Sequence, residues 1–132
     1  MKRFFFIVVV AALFASSCNL TSEAIITAGV WAANAECPSD LGDGLTMTQV
    51  TKDGNYVMYY CRGDEDQYEF DQSLADGEVR SALLQELKSQ ALTDDSLSQF
   101  FQALKDTRIG IIYHYYTVSG TSMDVVIDYD ML

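Results

Sequence analysis

The sequence predicts an α+β fold, because two β-rich regions flank a central region with helical periodicity. Residues 45–61 and 109–129 are rich in β-branched and aromatic side chains, whereas apolar residues recur at helical spacing between residues 74 and 104. From this order we expect an antiparallel sheet of about four strands, built from two hairpins. A central helix pair would cover one face of the sheet, and a short helix would precede it.

The first hairpin is predicted over residues 45–50 and 56–61, joined across residues 52–55. Asp53-Gly54 lies between these β-rich runs, and an Asp-Gly pair in such a position is a strong signal for a tight turn. The preceding residues 40–44 are predicted to form a loop.

The second hairpin is predicted from apolar and aromatic residues that recur at the odd-numbered positions on both sides of the turn at residues 119–121. For both apolar sets to share one face, the connecting loop must contain an odd number of residues, three or five, because a one-residue slip would turn every side chain over. The apolar sets are Ile109, Ile111, Tyr113, Tyr115 and Met123, Val125, Ile127, Tyr129.

Three helices are predicted. The first covers residues 22–36, with Ser22 as its N-cap, and ends before Pro38 because proline disfavours helical geometry in the residue before it. The second covers residues 74–92, and the third starts at Asp95 or Ser96. The last two are expected to pack on the sheet as a helical hairpin.

The composition excludes several classes of function. The chain of 132 residues has 8 Lys+Arg against 19 Asp+Glu, a formal net charge of −11, so it lacks the basic surface that nucleic acids or anionic lipids would require. One histidine and three cysteines supply at most the four soft ligands that one structural zinc site needs, with none to spare, so we expect no such site. Because glycines occur singly and no nucleophile motif is present, we expect no cofactor, no metal and no enzymatic activity.

The N-terminal segment has the features of an export signal. Lys2 and Arg3 precede an apolar run over residues 4–14, which is too short to span a bilayer, and residues 15–18 are Ala-Ser-Ser-Cys. This ending resembles a lipobox, so we predict a lipoprotein-type signal peptide at 1–17 and a single domain at 18–132, lipid-anchored at Cys18. The alternative is an ordinary signal peptide cut at the same place, which would leave a soluble secreted or periplasmic protein.

The anchor also predicts a location in the bacterial cell envelope. Asn19 follows Cys18 in place of the aspartate that retains lipoproteins at the inner membrane of enteric bacteria, so we expect the outer membrane. Only Glu23 is acidic close behind, which is a weak signal for export to the cell surface, so we expect the protein to face the periplasm. The membrane would be engaged through the N-terminal acyl chains alone.

Two cysteines remain once Cys18 is assigned to the anchor. An odd number of cysteines in an exported protein needs an explanation, and acylation of Cys18 leaves Cys37 and Cys61 as a possible disulfide. The alternative is that one or both are buried free thiols.

Several short segments make the chain resemble a group of small exported or lipid-anchored proteins from Bacteroides-type gut bacteria. The resemblance implies an α+β domain of the cell envelope and no activity. The segments are the lipobox at Cys18, Asn34-Ala35-Glu36-Cys37-Pro38, Gly44-Leu45-Thr46, Asp53-Gly54, the strand at 56–60 and the strand at 112–115.

Five carboxylates lie between residues 64 and 71. A calcium site would use such oxygen ligands, but the Asp-x-Asp-x-Asp-Gly loop is missing, so a solvated acidic segment is the favoured interpretation. This segment suggests an alternative function, that of an inhibitor or immunity-type protein acting on an enzyme through its acidic surface. The residues are Asp64, Glu65, Asp66, Glu69 and Asp71.

Tyrosines on the predicted strands provide the candidate binding face. Adjacent tyrosines such as Tyr59 and Tyr60 point to opposite faces, so some rings must lie away from the helices. Clustered exposed tyrosines anchor protein or carbohydrate partners, although cross-strand packing is the alternative role. We predict a lipid-anchored, non-enzymatic envelope binding module that presents Tyr56, Tyr60, His114 and Tyr116 to a protein or glycan partner.

Overall fold

The computed structural model describes residues 21–132, so the predicted signal peptide and Cys18 lie outside the described residues. A kinked segment, Ala75–Val79, joins α2 to α3, and a 3-10 turn at Tyr129–Met131 follows the last strand. The elements in chain order are α1 (Ser22–Ala35), β1 (Ser39–Gly42), β2 (Leu45–Asp53), β3 (Tyr56–Gly63), α2 (Gln72–Leu74), α3 (Arg80–Thr93), α4 (Asp95–Thr107), β4 (Gly110–Tyr116) and β5 (Ser122–Ile127).

The α+β fold is confirmed, with two corrections to the sheet. The five strands lie in the order β1-β2-β3-β4-β5, so the sheet has one strand more than predicted. All neighbouring strands are antiparallel except β3 and β4, which are parallel. A parallel pair needs a long crossover connection, and the chain through α2, α3 and α4 supplies it.

The additional strand, β1, lies in the segment that we predicted to be a loop. Asp43 and Gly44 form the turn between β1 and β2, with φ angles of 54° and 78°, and Leu41 is buried. Positive φ at both central residues is the requirement of the tight hairpin turn that Asp-Gly favours. The Asp43-Gly44 pair occupies both central positions of its turn, whereas in the turn between β2 and β3 Asp53 pairs with Tyr56 and the central residues are Gly54 and Asn55.

The N-caps of α1 and α4 lie one or two residues earlier in the chain than predicted, and the central helix is interrupted. Thr21, not Ser22, accepts a hydrogen bond from the backbone of Ala24, and Asp94, not Asp95 or Ser96, caps α4. A capping side chain must stand outside the helix, in extended geometry, to reach these N–H groups. Gly77 has non-helical angles and separates α3 from the preceding turn.

The second hairpin has the predicted geometry. Residues 117–121 form a five-residue loop, and Tyr113 on β4 pairs with Val125 on β5. The predicted apolar sets from Ile111 to Ile127 are accordingly buried together, which confirms the odd loop length. Tyr129 lies outside the strand, in the terminal 3-10 turn.

The core lies between the helices and one face of the sheet. Tyr59 on β3 stacks on Tyr113 of β4 with ring centroids 4.8 Å apart, and the ring of Phe70 packs at 5.6 Å from that of Tyr115. Tyr68 and Phe70 close over Gly63, where any side chain would collide with both rings. A row of buried aromatic rings thus crosses the middle of the sheet.

The helices form a single layer over this core. Helix α1 packs on β2 and on α4, whereas α3 packs on α4 and on β5. The even-numbered side chains of β3, β4 and β5 point to the other side and all retain partial or full exposure. None of the described helices is long and apolar enough to cross a membrane.

We expect Tyr113→Phe to raise the free energy of unfolding by about 1 kcal/mol, because an unpaired buried hydroxyl is costly to remove from water. The Tyr113 hydroxyl is buried and has no hydrogen-bond partner among residues 21–132. The measurement is chemical denaturation of both proteins.

Tyr68→Phe is the matched control, since the Tyr68 hydroxyl donates to the Asp43 carbonyl at 2.7 Å. Removing a satisfied bond should lower the free energy of unfolding by about 1 kcal/mol. Changes of the same sign in the two variants would contradict this assignment.

Candidate binding face

Three of the predicted aromatic residues come together on the uncovered face of the sheet. The parallel register places Tyr60 directly beside His114, and their rings meet edge to face with centroids 5.6 Å apart. Tyr116, two residues further along β4, stacks on His114 at 5.5 Å. We call Tyr60, His114 and Tyr116 the ring cluster.

Two polar side chains hold the ring cluster in place. Oδ1 of Asp124, the β5 partner of His114, lies 2.6 Å from His114 Nδ1 and orients the imidazole. The Tyr116 hydroxyl reaches across β3 to Thr48 Oγ1 at 2.9 Å. The middle ring and one end ring of the cluster are therefore attached to side chains on other strands, which restricts their orientation.

Thr48 reaches this position because β2 contains a bulge. Met47 pairs with Cys61 and Gln49 pairs with Tyr60, so Thr48 is the extra residue between them. Its hydroxyl also donates to the Tyr60 carbonyl at 3.3 Å. A bulge changes the direction of a side chain locally, and the sequence alternation contains no sign of it.

Asp124 could have been associated with His114 from the sequence. It lies on the polar side of the predicted β5 alternation, and an odd five-residue loop places it opposite His114. The sequence is compatible with three or five residues in this loop, and only the tertiary structure establishes the five-residue loop and this pairing.

Tyr56 does not belong to the ring cluster. It lies four residues before Tyr60 on β3, a separation of about 13 Å along a strand. Its ring covers Gly110, its pairing partner on β4, and its hydroxyl donates to Asp128 Oδ1 at 3.2 Å. The Asp128 carboxylate beside it raises the pKa of Tyr56, with a smaller contribution from burial.

The ring cluster is accessible and lies beside a carboxylate. The side chain of His114 is 28% exposed and that of Asp124 is 49% exposed. Aromatic faces next to a carboxylate attract a cation by two additive effects, the ring quadrupole and the negative charge. Among residues 21–132 there is no group of three His, Cys, Asp or Glu side chains that could hold a metal ion.

The acidic segment is partly used to build the fold. The Asp64 carbonyl accepts from the backbone N–H groups of Gln67 and Tyr68, which closes a turn. Asp71 caps α2, and its bond from the Ser73 N–H lowers the pKa of the Asp71 carboxyl. Glu65 and Asp66 are exposed.

Cys37 and Cys61 are free thiols in this structure. Cys61 is buried on the helix-covered face of β3, and burial, together with the nearby Cys37, raises its pKa to about 12. Cys37 is half-buried, and its thiol donates to the Ala33 carbonyl at 3.4 Å. Burial and then the Glu36 charge raise the pKa of Cys37 as well. The disulfide stays a prediction.

Comparison with known proteins shows the fold. A candidate secreted protein from Pseudomonas aeruginosa is similar over 82% of this chain and 94% of its own, with a TM-score of 0.55 and 13% identity. The type II secretion system pilotin AspS from Vibrio cholerae is similar over 78% of this chain and 84% of its own, with a TM-score of 0.47 and 14% identity. No family model and no curated protein matches the chain. The first similarity shows a shared fold, and the resemblance to proteins of Bacteroides-type bacteria stays a prediction.

We expect iodoacetamide to modify Cys37 before Cys61 in the folded, reduced protein. The thiolate is the reactive form. Cys61 is more deeply buried than Cys37, so it ionises less readily and is less accessible to the reagent. Peptide mass spectrometry after increasing reaction times measures the order. Equal rates would contradict the burial of Cys61. In a second sample, prepared without reductant and then unfolded, protection of both residues that a reductant relieves would confirm the disulfide.

Proposed function

We propose that this protein is a lipid-anchored accessory protein of the cell envelope that binds a basic segment of a partner protein. The ring cluster is the binding site. Cys18 carries the acyl chains, and the domain faces the periplasm from the outer membrane. No bond-making step is assigned to the protein.

The observation that supports this proposal best is the contact between the ring cluster and Asp124. An Arg or Lys side chain placed over Tyr116 would meet an aromatic ring that stacks on His114, and Asp124 holds its carboxylate against that same His114. Arginine is favoured over lysine, because its planar guanidinium stacks on rings and pairs with a carboxylate at the same time.

The charge of the whole chain favours the same partner. With a net charge of −11, the protein attracts basic segments over a distance and repels acidic ones. A neutral glycan would also stack on tyrosine rings but would gain nothing from this charge. The acidity therefore favours a basic protein partner over a glycan.

The envelope location is supported by the lipobox-like segment at residues 15–18 and by the export-signal features that precede it. The fold is shared with a candidate secreted protein, which is consistent with export.

We expect the Tyr60→Ala/Tyr116→Ala variant to bind a short Arg-Leu repeat peptide about tenfold more weakly than the natural protein, because two cation–π contacts are lost. Tyr56→Ala is the matched control, since Tyr56 lies on the same face outside the cluster and should leave the affinity unchanged. Calorimetric titration measures the affinities, and thermal unfolding checks that each variant is folded.

The same peptide with citrulline in place of arginine separates charge from shape. The citrulline peptide should bind weakly, and added salt should lower the affinity of the arginine peptide. Equal binding of both peptides, or equal loss in Tyr56→Ala, would overturn the assignment. Binding of a neutral oligosaccharide that needs Tyr60 and Tyr116 would identify a glycan partner instead.

We expect Cys18→Ser to move the protein from the detergent phase to the aqueous phase, because the acyl chains are attached to that residue alone. Cys37→Ser is the control and should stay in the detergent phase. Phase partitioning of cell extracts, with mass spectrometry of the N-terminal peptide, measures the outcome. Unchanged partitioning of Cys18→Ser would refute the anchor.

A further inference from the structure

Helix α1 carries a large apolar side chain that no other part of the described chain covers. Trp31, the single tryptophan of the sequence, is 74% exposed. The opposite side of α1 buries Ile26 and Ala33 against β2 and α4. An aromatic ring of this size gains strongly from leaving water, so its exposure needs an explanation.

The side chains next to Trp31 on the outer face of α1 carry no charge. Helical spacing places Thr27, Ala28, Asn34 and Ala35 beside Trp31, and the exposed Glu23, two turns earlier, is the only charged residue between Ser22 and Ala35. A helix facing water normally carries several charges on its outer face. This face of α1 is instead suited to an uncharged, partly apolar environment.

The position of α1 relative to the predicted anchor indicates what that environment is. Cys18 precedes Thr21, the N-cap of α1, by three residues, so the start of the helix is held within about 10 Å of the acyl chains. Trp31 follows ten residues after Thr21, or about 15 Å along the helix axis. A helix lying parallel to the bilayer would therefore bring Trp31 to the same surface that holds the anchor.

We propose that α1 lies flat on the bilayer surface, with the Trp31 indole inserted at the level of the lipid headgroups. This inference rests on the acyl anchor of the proposed function. Tryptophan is enriched at that level, because its ring is apolar and its N–H is polar. Because the chain has a net charge of −11, the attraction comes from apolar contact and favours zwitterionic over anionic lipid.

This arrangement determines which way the binding site points. Helix α1 belongs to the helical layer, and the ring cluster lies on the opposite face of the sheet. With α1 on the bilayer, Tyr60, His114 and Tyr116 face away from the membrane. The ring cluster is then open to a partner in the periplasm.

The experiment uses the acylated protein in phosphatidylcholine vesicles and the fluorescence of its single tryptophan. Lipids brominated near the headgroup end of their chains should quench Trp31 more than lipids brominated near the chain ends. Aqueous iodide should quench Trp31 much less than in the unanchored Cys18→Ser protein. Vesicles containing anionic lipid should reduce the protection from iodide.

The control variant moves the fluorophore to a turn outside the helical layer. Val118 is 78% exposed in the loop between β4 and β5, so Trp31→Phe combined with Val118→Trp places the indole there. Its emission should be quenched by iodide and not by brominated lipid. This comparison separates contact by α1 from general closeness to the membrane.

Each outcome supports or overturns a separate statement. Free access of iodide to Trp31 in the acylated protein overturns the membrane contact and leaves the anchor intact. Protection from iodide that rises with protein density, without quenching by brominated lipid, shows that a second copy covers α1. This outcome also overturns the membrane contact. An unacylated Cys18 overturns the anchor and the membrane contact together, whereas peptide binding to the ring cluster is measured independently of both.

Discussion

The parallel pairing of β3 with β4 is the constraint on which the rest of the structure depends. After β3 the chain must return to the starting end of the sheet before β4 can begin, and it does so through α2, α3 and α4. These helices, joined by α1, cover one face and leave the other uncovered. The same pairing places Tyr59 against Tyr113 in the core and Tyr60 against His114 outside it.

Neighbouring tyrosines consequently have different chemistry on the two faces. Burial raises the pKa values of Tyr59, Tyr113 and Tyr115 well above the ordinary range, so these side chains act as apolar packing groups. Tyr60 and Tyr116 keep partial exposure, and the Tyr116 hydroxyl hydrogen-bonds Thr48 Oγ1 on β2, across β3. A period of two residues along each strand is sufficient to separate the two roles.

The edges of the sheet are protected, which directs binding to its face. The side-chain amide of Gln72 donates to the Asp124 carbonyl at 2.9 Å and accepts from the Asp124 N–H at 2.8 Å, so it occupies the free edge of β5 as a further strand would. At the other edge, β1 has only four residues. Short or covered edges discourage the addition of another strand, so recognition through side chains on the open face is favoured.

The sequence by itself determined the fold class, the central helices, both predicted hairpins and the odd loop between β4 and β5, because hydrophobic periodicity and Asp-Gly turns are local properties. It also placed Tyr60, His114 and Tyr116 on one side of their strands. It did not determine that β3 and β4 are parallel, that Tyr56 lies apart from the cluster, or that Thr48 and Asp124 complete it. Strand order, register and the bulge at Thr48 arise from contacts between residues distant in the chain, and only the tertiary structure decides among the pairings that the same local pattern permits.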